Sequence, residues 1–133
     1  MKQQRRMPIP NGVFFVMDYE FGILPESMED KLIASTPTCI AVGAKHDQDG
    51  DVLITLTNEE TPELPVKLLR FDRRLSIPSK RLSIVTINNE ELLTIELQEV
   101  SAEMAIWVDH EREPSEVIVV VKNYAAIVSE TNG

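Results

Sequence analysis

The stretch that most constrains the fold is Arg81 to Leu97, RLSIVTINNEELLTIEL, where two apolar-rich runs meet at Asn88-Asn89. Asparagine tolerates the left-handed backbone of a tight turn, because its short side chain satisfies nearby backbone groups. Asn-Asn is a weaker turn signal than Asn-Gly, which avoids the Cβ penalty altogether. A two-residue loop pairs Ile87 with Glu90, Val85 with Leu92, Ile84 with Leu93 and Leu82 with Ile95. One face then carries Leu82, Ile84, Leu93, Ile95 and Leu97, and the other Ser83, Val85, Leu92, Thr94 and Glu96. A four-residue loop keeps the same faces, whereas a three-residue loop sets Leu82 and Ile84 beside Glu96 and Thr94. Register follows the buried apolar set, so an even loop is expected, with the first face in the core.

The rest of the chain repeats this pattern of short apolar runs between turn residues. Gly12 to Phe21 alternates and holds three of the four Phe residues. Thr38 to Lys45 and Asp51 to Thr57 read as a second hairpin, turning at His46-Asp47-Gln48-Asp49-Gly50 with its Asp-Gly signal. Val66 to Phe71 is a further strand, and Asp72 to Lys80 a basic connector. Met104 to Asp109 and Val117 to Tyr124 flank the loop 110–116; the second of these is apolar on both faces and is expected to be central. Ser27, followed by Met28, Glu29 and Asp30, resembles a helix start that Pro37 keeps short. About eight strands at roughly ten-residue spacing predict an all-β fold, an antiparallel β-sandwich with at most one short helix, around 27–34. Residues 1–11, polar and basic, are expected to be a flexible lead-in, and 12–133 a single domain.

Composition narrows the chemistry. Only 5% of residues are aromatic, so Ile, Val and Leu must carry the core. The single cysteine, Cys39, excludes an internal disulfide and reads as a small buried apolar side chain. No apolar run approaches a membrane span, and Met1 to Asn11 lacks the apolar segment of a signal peptide, which points to the cytoplasm. With five glycines and no glycine-rich loop, no phosphate cradle is expected, and no cofactor.

Three groupings of residues could bear on function. Asp47, Asp49 and Asp51 place carboxylates at alternate positions, a candidate calcium site; an EF-hand would need Gly where Val52 stands and Glu where Asn58 stands. His110-Glu111-x-Glu113 lacks the second histidine of a zinc protease motif, since Pro114 occupies its place. Neither Cys39 nor any serine sits in a nucleophile setting, so the chain is read as non-enzymatic.

The third grouping is the charge layout. Net charge is −9, although Lys2, Arg5 and Arg6 open the chain; this sign opposes nucleic-acid binding. A basic segment holds Lys67, Arg70, Arg73, Arg74, Lys80 and Arg81 against one acid, Asp72. Acids gather at 47–63, 90–103 and 109–116. Trp107 alternates with Ile106, so with Ile106 in the core it faces outward. Trp107 with Asp109, Glu111, Glu113 and Glu116 makes an interaction patch: an aromatic anchor among acids, suited to steered docking of a basic partner.

The leading reading is therefore a protein–protein interaction module, in its sharpest form an acidic inhibitor or immunity-type protein whose carboxylates occupy phosphate-shaped sites on a basic partner such as a nuclease. Two alternatives stand beside it. One is a calcium-dependent or small-ligand-binding sandwich. The other is a homo-oligomeric subunit whose stretch 67–81 meets the acidic region 90–116 of a neighbour. Ser79 to Ile87, SKRLSIVTI, with the overall layout, loosely resembles the competence protein J family of nuclease inhibitors. The resemblance covers few residues, and it implies the inhibitor reading.

Overall fold

The computed structural model describes residues 1–59 and 68–124. Among the described residues ten strands form two five-stranded sheets. They are β1 (Lys2–Met7), β2 (Val13–Asp18), β3 (Ile33–Thr36), β4 (Cys39–Gly43), β5 (Val52–Thr57), β6 (Leu68–Ser76), β7 (Arg81–Thr86), β8 (Glu91–Glu96), β9 (Ser101–Val108) and β10 (Glu116–Val121). One sheet runs β1-β5-β10-β9-β6 and the other β3-β4-β2-β7-β8. Alternation along each strand builds the core between them. Val52, Ile54 and Leu56 of β5, Val117, Val119 and Val121 of β10, and Met104 and Ile106 of β9 face Phe14, Val16, Ile40, Leu82 and Ile84 of the other sheet. The all-β sandwich expected from the spacing of apolar runs is the fold observed, with ten strands among the described residues rather than about eight.

The hairpin at Asn88-Asn89 keeps its expected register over most of its length: Leu82 pairs with Ile95, Ser83 with Thr94 and Ile84 with Leu93. Near the turn the register shifts, and Val85 pairs with Glu91. The extra residue, Leu92, joins the main core instead of sharing the outer face with Val85. A bulge of this kind turns an apolar residue that strict alternation would leave outside. Asn89 takes the left-handed conformation, φ 63°, and Thr86 Oγ1 accepts the amides of Asn88 and Glu90.

Other expectations are corrected. The basic lead-in at 1–11 is a strand followed by a 3-10 turn; β1 pairs antiparallel with β5 along its whole length. Its alternation was hidden because two of its three inward-facing residues, Gln3 and Arg5, are polar, and only Met7 packs on the core. Gln3 Nε2 donates to the Thr94 carbonyl at 3.2 Å and Arg5 lies 3.5 Å from Glu90, so these side chains close the sandwich against β8. The helix around 27–34 does not form. Ser27 Oγ accepts the Glu29 amide, Glu29 and Asp30 both have positive φ, and Ile33 begins β3. The second hairpin is a crossover: both edges of β4 are taken by β2 and β3, so β5 passes to the other sheet and lies between β1 and β10. Its pairing with β10 is parallel, in a sheet otherwise antiparallel. The basic connector at 72–80 is mostly strand, since β6 runs to Ser76. The final strand is central, as its two apolar faces require.

Asp18, fully buried at the end of β2, fixes the neighbouring turns. Its Oδ2 accepts the amides of Glu20 (3.0 Å) and Phe21 (2.7 Å), and its Oδ1 accepts the amide and hydroxyl of Ser79 (2.9 and 2.8 Å). A buried carboxylate is tolerated when donors surround it in this way. No helix among the described residues is long and apolar enough to cross a membrane.

Candidate functional site: an acidic end of the sandwich

Strand directions decide which loops meet. The connections 8–12, 29–32, 44–51, 87–90 and 109–115 all emerge at one end of the sandwich. The crossover 44–51 and the loop 109–115 lie side by side, tied by Lys45 N to Pro114 O at 2.9 Å and Leu53 N to Ser115 O at 2.8 Å. Acids that are far apart in sequence therefore gather. Among the described residues these connections carry nine, Glu29, Asp30, Asp47, Asp49, Asp51, Glu90, Asp109, Glu111 and Glu113, against Lys31, Lys45 and Arg112. The connections that start or end at the opposite end carry fewer acids, Glu20, Glu26, Glu59 and Glu99, against Lys80, Lys122 and the amino terminus.

The acids differ in what they can do. Asp109 is a structural carboxylate: Oδ1 accepts the amides of Ser115 (3.0 Å) and Glu116 (3.2 Å), and Oδ2 the Ser115 hydroxyl (2.8 Å). His110 Nδ1 accepts the amides of Arg112 (3.1 Å) and Glu113 (3.0 Å), which folds the loop tip. Glu111 and Glu113 are left exposed. Glu111 stands 4.0 Å from Arg70, a distance at which exposed charges attract weakly. Glu116 is half-buried at the start of β10. Trp107 lies on the outer face of its sheet, opposite Met104 and Ile106, and packs half-buried on Ala105, Ile118 and Val120. The structure thus places the five patch residues around one end of the β9–β10 pair. Asp47, Asp49 and Asp51, read from sequence as a separate feature, join the same end.

Among the described residues no group of three or more His, Cys, Asp or Glu side chains is arranged to hold a metal ion, the candidate calcium positions Asp47, Asp49 and Asp51 included. Asp47 and Asp49 sit in a 3-10 turn, where His46 Nδ1 accepts the Gln48 amide and stands 2.9 Å from Asp47 Oδ1. Burial pushes the Cys39 thiol up to about 12, the opposite of what a nucleophile requires.

The basic segment is divided between the two sheets and is partly paired within the chain. Arg74 contacts Glu103 at 2.7 Å and Ser101 at 2.9 Å; Arg81 contacts Glu91 at 3.0 Å and stacks 3.9 Å from the Tyr19 ring centroid. Arg70 is the extra residue of a bulge that turns Leu69 outward beside Trp107 and Phe71 into the core. Arg73 lies 5.0 Å from the Phe71 ring. Lys80 occupies a left-handed turn position, φ 61°, and Lys67 lies outside the described residues. Part of the contact between 67–81 and 90–116 that one alternative reading placed between subunits is made inside one chain, by Arg70 with Glu111, Arg74 with Glu103 and Arg81 with Glu91.

Two features escaped sequence reasoning: the convergence of acids from both sheets, and the exposed apolar loop 19–24. The first depends on strand order, which no local pattern encodes. The second had a signal, the run YEFGIL, that read as the end of a strand.

No protein-family model matches the chain, and no curated protein matches it. Two solved structures are similar to it. ComJ from Bacillus subtilis, described as an inhibitor of the DNA-degrading activity of NucA, superposes with a TM-score of 0.68 at 12% identity, covering 90% of this chain and 93% of its own. The protein described as crocagin biosynthetic gene J superposes with a TM-score of 0.55 at 10% identity, covering 92% of this chain and 98% of its own. At these identities the likeness shows the fold: the chain has the two-sheet sandwich of these proteins over nearly its whole length.

Proposed function

We propose that this chain is a non-enzymatic protein-interaction module that docks a basic protein through the acidic end of its sandwich, and that the partner is a nuclease. The observation that carries the reading is the convergence of the 44–51 and 109–115 loops, which sets Asp47, Asp49, Asp51, Glu111 and Glu113 together on one surface. A field of one sign steers a basic partner and supplies carboxylates where that partner binds phosphates. The similarity of fold to ComJ, described as a nuclease inhibitor, supports the choice of partner.

The test has two arms. Proteins captured from the native lysate are identified, purified and titrated with the chain, and their DNA hydrolysis is measured with and without it. The reading expects a basic partner whose nuclease activity falls at stoichiometric chain. An acidic partner, or a nuclease bound without loss of activity, contradicts it.

A further inference from the structure

The turn after β2 carries an unusual surface. Tyr19, Phe21, Ile23 and Leu24 are 47%, 54%, 66% and 49% exposed, a concentration of large apolar side chains within six residues. They stand at the end of the sandwich opposite the acidic loops, on the sheet β3-β4-β2-β7-β8. The loop is not slack: Asp18 holds the amides of Glu20 and Phe21, and Ile23 is held by its amide to Thr38 Oγ1 (3.0 Å) and its carbonyl from Thr36 Oγ1 (2.6 Å). Surfaces that hold apolar side chains out in water on a fixed loop mark contact sites.

Two hollows flank Tyr19. One, of about 360 Å³, is lined by Tyr19, Glu20, Ser79, Lys80, Arg81 and Glu96 with Leu97. The other, of about 340 Å³, is bounded by Met17, Tyr19, Ser83, Val85, Asn89 and Glu91. The ridge between them is Tyr19 stacked on Arg81, two residue types that often dominate interfaces. Knobs and hollows thus lie on one face. The rim also carries both signs: among the described residues Lys80, Glu20 and Glu96 make no ion pair.

We propose that this face is the contact between two copies of the chain, related by a two-fold axis. An isologous contact requires a patch complementary to itself. Here the exposed loop of each copy enters the hollow beside Tyr19 of the other, and Lys80 of each meets Glu20 and Glu96 of its mate. A partner of one charge sign would leave half of this rim unpaired. The exposed loop stands at the end away from the acidic loops, and the second hollow runs from Tyr19 along the outer face of the sheet toward Asn89 and Glu91, so the contact centres on Tyr19 and Lys80. The dimer is concentration-dependent by mass action; apolar side chains let it persist at high salt, weakened by screening of the Lys80 pairs.

Sedimentation velocity across a dilution series reads the assembly directly. The full chain is expected to move from 15.0 kDa toward twice that mass as concentration rises. Tyr19→Ala with Phe21→Ala is expected to shift the midpoint at least tenfold toward monomer, with unchanged circular dichroism. Lys80→Glu is expected to do the same, and adding Glu96→Lys to it to restore association. Charge reversal at Glu111 and Glu113 is expected to leave the dimer intact, which separates this contact from the nuclease-docking reading. A full chain that stays monomeric at every concentration overturns the proposal, as does a dimer that Tyr19→Ala with Phe21→Ala leaves unchanged.

Discussion

Asp18 shows how much a single buried group can hold. It receives four hydrogen bonds from three residues and joins the turn after β2 to the turn before β7. Asp18→Ala leaves part-buried amides without their acceptor and a cavity at a fully buried position, so it should lower stability by roughly 2 kcal/mol in urea unfolding, with a smaller loss for Asp18→Asn. In sequence Asp18 read only as a polar position in an alternating strand; its role depends on Ser79, 61 residues away. Cys39 was legible, because a small thiol within CIAV has few other uses. Burial raises its thiol pKa to about 12. The folded state therefore keeps a proton that the unfolded chain releases at lower pH, so this contribution is intact below the unfolded value and is lost as pH rises through the folded one. Urea midpoints should fall from about pH 9 upward, less steeply in Cys39→Ala, and native Cys39 should resist alkylation at neutral pH until the protein unfolds.

At the scale of elements, strands with apolar alternation were legible and strands with polar alternation were not. The β7–β8 register followed from keeping Leu82, Ile84, Leu93 and Ile95 together, and the structure keeps them together. The bulges near Leu92 and Arg70 were invisible, because an extra residue leaves no mark on composition. β1 was missed because Gln3 and Arg5 face inward as the sandwich's edge closure rather than as core. If β1 is an integral strand, the amides of residues 2–7 that bond to β5 exchange slowly, protected to a degree comparable with β5 itself. Exchange at the random-coil rate in hydrogen–deuterium measurements would restore the flexible lead-in. The crossover between β4 and β5 was misread as a hairpin because Asp-Gly reports a turn and is silent about which sheet the next strand joins.

For the whole molecule, the sign of the charge was plain in the sequence, and its geography was not. The chain alternates acidic and basic segments, which suggested complementary surfaces on different subunits. Strand order instead pairs many of these charges internally, as in Arg74 with Glu103 and Arg81 with Glu91, and leaves an acidic excess at one end. That excess holds no arrangement suited to a metal among the described residues, so millimolar calcium should leave the melting temperature unchanged. Its proposed use is to meet a basic protein. The most direct measurement is the affinity of the captured nuclease for the full chain and for a variant with Asp49→Lys, Glu111→Lys and Glu113→Lys, each an exposed position outside the Asp109 hydrogen-bond network. The variant is expected to keep its fold, to lose at least tenfold in affinity at low salt, and to differ less from the full chain as salt rises. Equal affinity for both proteins at low salt would contradict the proposed docking.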